Sequence, residues 1–265
     1  MLALRWGRKP VRAGSLLAAR ELSFSYPGSA RRILQDINLN LDDGEILGIL
    51  GESGSGKTSL SLVLAGFERP DSGHVLFRSL NIAQSKNFRD YRRSIQYLFQ
   101  NPRSSVNRYK NIFDIVAEPL FYRRFHKGTR EALAAEALKL VGLEYGRWYD
   151  YPDQFSLGQL QRICLARAIT TRPKLIICDE PFSALDISSR ARMEQIFVEL
   201  NKKNGIAFIV ISHEPRTLLK LCHKIMVLRE GRQTDFWHVG QEQNLDDYTK
   251  RLISAEILGL WSKIT

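Results

Sequence analysis

Eight consecutive residues, Gly51-Glu52-Ser53-Gly54-Ser55-Gly56-Lys57-Thr58, carry the spacing G-x-x-x-x-G-K-[ST]. Glycines so placed let a backbone wrap around phosphate oxygens and aim its N–H groups at them, and a following helix adds the positive end of its dipole. Lys57 would neutralise the β- and γ-phosphates, and the Thr58 hydroxyl would be a ligand for Mg²⁺. The implied chemistry is nucleoside triphosphate binding.

A second candidate site lies at Leu175-Ile176-Ile177-Cys178-Asp179-Glu180, an apolar run that ends in two acids. An acid at such a strand end holds Mg²⁺ in phosphate-loop enzymes, which assigns Asp179 that role. Glu180, next in the chain, points elsewhere. A carboxylate that does not ligate the metal can orient and deprotonate water, so Glu180 is the candidate general base.

Elements must hold these groups. The apolar run at residues 46–50 predicts a strand entering the glycine-rich loop, and a helix is expected at residues 57–65 behind it. Ile37, Leu39 and Leu41 alternate with polar residues as a preceding strand, turned by Asp42-Asp43-Gly44. Further strands are expected at residues 74–78, 95–99, 175–178, 206–211 and 224–228. A helix at residues 131–141 should be entered at Thr129 and stopped at Gly142, and another should cover residues 190–200. Strand, helix, strand with continuous apolar strands is the pattern of a buried parallel sheet. With no repeat, low-complexity block or long linker, residues 1–265 read as one domain with lobes.

The 265 residues, 44% hydrophobic and 25% charged, fit a globular α/β unit rather than a disordered or fibrous chain. The longest apolar runs fall far short of the roughly 18 residues that cross a bilayer. The chain is expected not to be transmembrane. A short N-terminal extension, residues 1–16, is basic and interrupted by Arg5, Arg8, Lys9 and Arg12, which reads as a cytosolic start rather than a secretory signal. Cys164, Cys178 and Cys222 lack CxxC spacing and are expected as buried reduced thiols. The net charge of +11 points to an acidic partner, be it nucleotide, nucleic acid or anionic membrane, without choosing among them.

Phe155-Ser156-Leu157-Gly158-Gln159-Leu160-Gln161-Arg162 resembles the signature of the ABC ATPases, and the resemblance extends over almost the whole chain. It implies a P-loop ABC cassette with a RecA-like core sheet, an antiparallel β lobe and a helical signature lobe at roughly residues 101–170. By the same resemblance Gln100 is the Q-loop glutamine that touches Mg²⁺ and the attacking water. Ser183-Ala184-Leu185-Asp186 looks like the D-loop, His213 like the switch histidine on the γ-phosphate, and Tyr26 like the aromatic on which adenine stacks. Ser156, Gly158 and Gln159 would close over ATP bound to another subunit. ATP and Mg²⁺ are thus the implied cofactors.

Within the family the chain is similar to the peptide, opine and nickel importer ATPases, through Gln100-Asn101-Pro102, Ser104-Ser105-Val106-Asn107 and residues 115–120. Residues 247–252 are similar to that group's terminal helix. Arg108-Tyr109 stands where the group usually has Pro-Arg, and a cysteine-rich tail is absent. The resemblance implies a second ABC ATPase subunit, two transmembrane permeases, an extracytoplasmic solute-binding protein and a place on the cytoplasmic face of the inner membrane. Nucleic acid is not expected as a partner. The alternative is a soluble ABC-type ATPase of a metabolic complex, similar to the carbon-phosphorus lyase accessory proteins. Basic residues Arg89, Arg92, Arg93, Arg103, Arg108, Lys110, Arg123, Arg124, His126 and Lys127 cluster in the stretch that faces the membrane subunits in this family.

Leu157 replaces the first glycine of the signature pair. If the backbone donor to the partner's ATP comes from Gly158, Leu157 can point away and the site works. If residue 157 needs φ > 0, leucine is costly there and closure weakens. The second case would leave this chain's own ATP site complete and the partner's doubtful, as in an asymmetric heterodimer.

Overall fold

Apolar runs without alternation become neighbouring strands because both of their faces are covered. In the computed structural model, which describes residues 15–29, 31–122, 125–241 and 245–257, β3 (Ile46–Leu50), β6 (Ile95–Leu98), β7 (Leu175–Asp179) and β8 (Ala207–Ser212) run parallel. Ile176, Cys178, Phe208 and Val210 face one core, while Leu175, Ile177, Ile209 and Ile211 face the other. Each fully buried Leu or Ile contributes about 2 kcal/mol of transfer free energy, so this register is strongly specified.

The full sheet has ten strands in the order β5-β4-β1-β2-β10-β9-β3-β8-β7-β6. β1 (Ser15–Phe24), β2 (Leu34–Asp42), β4 (Ser72–Phe77) and β5 (Leu80–Asn81) form an antiparallel part. β9 (Lys224–Arg229) lies parallel to β3 and antiparallel to β10 (Arg232–His238), which joins the two parts. α1 (Lys57–Ala65) packs into the core shared with β1 and β2. On the opposite face lie α3 (Ile112–Phe121), α4 (Lys127–Leu140), α5 (Leu157–Ile169), α6 (Ile187–Asn204), α7 (Pro215–Leu221) and α8 (Asp247–Ile257). α2 (Ser85–Ser94) precedes β6.

Two expectations need correction, and strands β1 and β10 have no counterpart among them. The helix expected from residue 131 begins at Lys127, with His126 rather than Thr129 at its N-cap, and the Arg130 N–H already bonds the His126 carbonyl at 3.0 Å. Its stop at Gly142 is as expected: φ is +69°, and Leu143 N–H reaches back to Leu138 O at 3.0 Å. β1 takes Ser15 and Leu16 from the supposed extension, whose residues 1–14 lie outside the described residues, as do Arg123 and Arg124. β10 was not foreseen, because its partly buried, polar-rich residues show no clean alternation.

All three cysteines are buried and free. Burial pushes the Cys164 thiol up to about 11 and raises Cys178 and Cys222 as well, so none is a ready nucleophile.

Candidate active site

The glycine-rich loop passes from the end of β3 into α1, and two of its glycines are required by contact. A Cβ on Gly51 would lie 2.3 Å from the Leu228 carbonyl oxygen, and one on Gly56 would meet Ile33 O at 3.1 Å. Gly56, at φ +103°, is also the N-cap of α1. The hairpin after β9 supports the loop from below, with Gly231 N–H donating to Ser55 O at 3.0 Å. Lys57 is buried beneath it and donates to Gly51 O at 2.8 Å and Glu52 O at 2.7 Å. Burial lowers its pKa below the ordinary lysine value, against the opposing pull of Glu180, Asp179 and Glu52.

Thr58, in the first turn of α1, donates to Asp179 Oδ1 at 3.3 Å. Asp179 ends β7, 5% exposed, and burial raises its pKa while the Thr58 hydrogen bond partly offsets the rise. On its other oxygen sits Tyr97, whose hydroxyl donates at 3.5 Å and also meets Ser61 Oγ at 2.8 Å. Tyr97 was not among the candidates from sequence. Its signal is faint: a hydroxyl on a half-buried position of β6, whose significance depends on pairing beside Ile177 of β7.

Glu180 directly follows Asp179 and takes a left-handed backbone, φ +48°, rare for a residue with a side chain. Its N–H bonds Ile211 O at 3.1 Å, and Ser183 Oγ donates to its carbonyl at 2.8 Å. The turn directs the carboxylate at His213, whose Nδ1 is 2.9 Å from Glu180 Oε1. His213 lies just past β8, the strand beside β7. The structure therefore brings Lys57, Thr58, Asp179, Glu180 and His213 to one end of the parallel strands.

Tyr26 stands beside this group rather than in it, with its hydroxyl 3.1 Å from Ser59 Oγ on α1 and its ring edge-on to Phe24 at 4.9 Å. Its 38% exposure leaves part of the ring open to a stacking partner. Gln100 is exposed just beyond β6, and among the described residues no hydrogen bond joins it to Asp179 or Glu180.

Ser156 is the N-cap of α5. Its Oγ accepts from Gln159 N–H at 3.3 Å, and Gln159 Oε1 accepts from Ser156 N–H at 2.9 Å, a reciprocal capping box. Among the described residues these side chains meet no group of the phosphate loop. Leu157 is the first residue of the helix and is not among the residues with positive φ, so the feared backbone strain is absent. Gly158 is the demanding position: a Cβ there would lie 2.7 Å from both Cβ and Oγ of Ser189 on α6. Asp186, last residue of the D-loop segment, caps α6 and accepts from Ser188 Oγ, Ser189 Oγ and Ser189 N–H, which together lower its pKa.

Two concavities flank the site. A cavity of about 610 Å³ separates Glu52 and Ser53 from α8, with Arg31, Arg229, Tyr248 and Arg251 around it. A wider groove of about 1080 Å³ runs past the end of β6, lined by Phe67, Arg92, Tyr97, Phe99, Tyr122 and Arg167 among others. Tyr122 is 86% exposed, and Arg92 stacks over Phe67 at 4.9 Å.

The sequence profile described as ABC transporter matches residues 34–183. The chain is 36% identical to the oligopeptide transport ATP-binding protein OppF of Lactococcus lactis subsp. lactis over 259 residues, 91% of this chain and 80% of that protein. It is 35% identical to the nickel import ATP-binding protein NikE of Escherichia coli O157:H7, with 89% of each chain covered. Among solved structures, cbiO1 from Clostridium perfringens, part of the ABC transporter complex cbiONQ, superimposes with a TM-score of 0.81 at 26% identity, covering 94% of this chain and 96% of that one. The ATP-binding cassette MJ0796, in a dimeric post-hydrolysis state bound to ADP and Pi, gives a TM-score of 0.75 at 25% identity over 84% of this chain and 98% of that one.

Proposed function

This chain belongs to the ABC transporter family, and we propose that it is the ATP-binding and ATP-hydrolysing subunit that energises an importer of peptides, nickel or related small solutes. The observation that carries the reading is the convergence of a buried Lys57, the Thr58–Asp179 pair and the Glu180–His213 contact at one end of the sheet. The oligopeptide and nickel import relatives supply the solute classes.

In this reading the loop at residues 51–58 holds the phosphates of ATP, Lys57 turns its charge to the β- and γ-phosphates, and Tyr26 stacks on adenine. Thr58 Oγ1 and Asp179 Oδ1, two hard oxygens converging at 3.3 Å beside Lys57, suit Mg²⁺, which would neutralise charge developing on the phosphate oxygens. Glu180 orients a water and takes its proton as that water attacks the γ-phosphorus, while the bond from that phosphorus to the β,γ-bridging oxygen breaks and ADP leaves with phosphate as the other product. His213 holds the Glu180 carboxylate in place and offers its second ring nitrogen to the γ-phosphate. Gln100, exposed in the turn after β6, would add a further oxygen ligand for Mg²⁺ and a contact to the water.

Ser156 and Gln159 bond each other and, among the described residues, meet no group of their own chain's residues 51–58, which supports a head-to-tail dimer with a second ABC ATPase subunit. The asymmetric heterodimer expected from strain at Leu157 loses its basis, because residue 157 takes no positive φ. The aromatic and basic groove beside Gln100 is the surface on which a segment of a permease would dock, so that closing of the ATP site moves the membrane subunits. Two permeases and a solute-binding protein complete the assembly, with this subunit peripheral at the cytoplasmic face of the inner membrane. No helix among the described residues is long and apolar enough to cross a membrane.

The test is Glu180→Gln in this subunit alone, within the complex purified with its co-expressed partners. ATP turnover should fall by ~10²-fold or more while nucleotide binding persists. Near-normal turnover would overturn the assignment of the base. Co-purification with integral permeases only after detergent extraction supports an importer, whereas a stable detergent-free enzyme complex overturns it.

A further inference from the structure

Arg190, in the first turn of α6, touches both loops that carry the reacting groups. Its guanidinium forks the Glu214 carboxylate, with Nη1 to Oε2 at 2.5 Å and Nη2 to Oε1 at 2.8 Å. The same Nη2 lies 3.5 Å from the carbonyl oxygen of Phe182. Glu214 directly follows His213, and Phe182 lies just beyond Glu180. One planar cation thus grips the side chain that follows His213 and the backbone carbonyl just past Glu180, on either side of the 2.9 Å His213–Glu180 contact.

The clamp is itself held. Glu214 N–H donates to Ser212 Oγ at 3.0 Å, and Thr217 Oγ1 donates to the Glu214 carboxylate at 3.1 Å. The side chains of Arg190 and Glu214 are only 31% and 21% exposed, so the pair is screened less than a surface ion pair. A bidentate fork fixes direction as well as distance, which a lysine ammonium cannot reproduce. α6 is anchored independently by the Asp186 cap and by the packing of Ser189 against Gly158.

We infer that Arg190 is a positioning residue for ATP hydrolysis, clamping Glu214 and the Phe182 carbonyl so that His213 stays against Glu180. The inference rests on the assignment of Glu180 and His213 given above. Removing the clamp should leave the phosphate loop intact and loosen only the geometry of the reacting end.

Arg190→Gln in the full chain, assembled with its co-expressed partners, should lower kcat ~10- to 100-fold while the affinity for a fluorescent ATP analogue stays within about threefold. Arg190→Lys should recover part of the loss. Because Arg190 acts through His213, adding Arg190→Gln to His213→Ala should cost less than about twofold further. An unchanged kcat in Arg190→Gln, or a full additional loss in the His213→Ala background, overturns the inference. If Arg190→Gln yields no folded protein, Glu214→Gln removes the same fork, and the same two comparisons decide. Glu180→Gln, measured alongside, separates the premises: retained turnover there overturns the catalytic assignment, whereas its loss with normal Arg190→Gln turnover overturns only the clamp.

Discussion

Glu180 Oε1 and His213 Nδ1 lie 2.9 Å apart, joining the ends of two neighbouring parallel strands. The contact depends on a left-handed Glu180 backbone tied to Ile211. Replacing His213 by Ala frees the carboxylate from its orienting partner. Steady-state turnover should then fall by ~10²-fold or more, with ATP affinity changing far less. An equal loss in affinity and turnover would place His213 in binding instead.

The buried charges at the strand ends cost the empty protein stability. Burial raises the Asp179 pKa, so the folded state holds its proton more tightly than the unfolded chain, and the resulting stabilisation is present at acid pH and lost as pH rises through the folded value. At neutral pH Asp179→Asn should therefore stabilise the nucleotide-free protein by about 1 kcal/mol while abolishing Mg²⁺-dependent turnover. Thermal unfolding against pH checks the stability, and an ATPase assay with Mg²⁺ checks the turnover. For Lys57 the shift is downward, so its contribution runs the other way, with stability gained as pH rises through the alkaline range below the ordinary lysine value.

Tyr97→Phe removes one hydroxyl from between Ser61 and Asp179 without changing the ring's packing on Phe67 and Phe99. A group that orients a metal-binding carboxylate typically supports ~10- to 100-fold of metal affinity. The Mg²⁺ concentration giving half-maximal turnover should rise within that range, with metal-free nucleotide binding unchanged. A wild-type metal dependence would show that Tyr97 only packs.

The signature carries two opposite expectations. Gly158→Ala puts a methyl 2.7 Å from Ser189 and should destabilise by about 1–3 kcal/mol, relieved by Ser189→Gly. Leu157→Gly restores the family's usual residue, yet it should stabilise nothing, because residue 157 is unstrained at a helix start where glycine costs up to about 1 kcal/mol. Denaturant unfolding of the three variants tests the pair.

Much of the site was legible because its determinants are local. The phosphate loop, its lysine and its threonine occupy eight consecutive residues between a strand and a helix, and Asp179-Glu180 ends a strand of continuous apolar residues. Continuous strands in turn implied a sheet covered on both faces, as found. β1 and β10 were missed for the complementary reason, since neither pairs in a way that its own periodicity reveals.

The sequence by itself determined two motifs, a glycine-rich phosphate-binding pattern with its lysine and an apolar strand ending in paired acids, since each is a short stretch of covalent chain. Only the tertiary structure decided that Thr58 and Tyr97 reach Asp179, that His213 meets Glu180 and that Arg190 grips Glu214, because each pair joins distant segments, which the pairing of the parallel strands and the placement of α1 and α6 beside their ends bring together. It also decided Leu157. Whether that residue is strained depends on the backbone dihedral at a helix start, and the cap formed by Ser156 and Gln159 places it there without a positive φ.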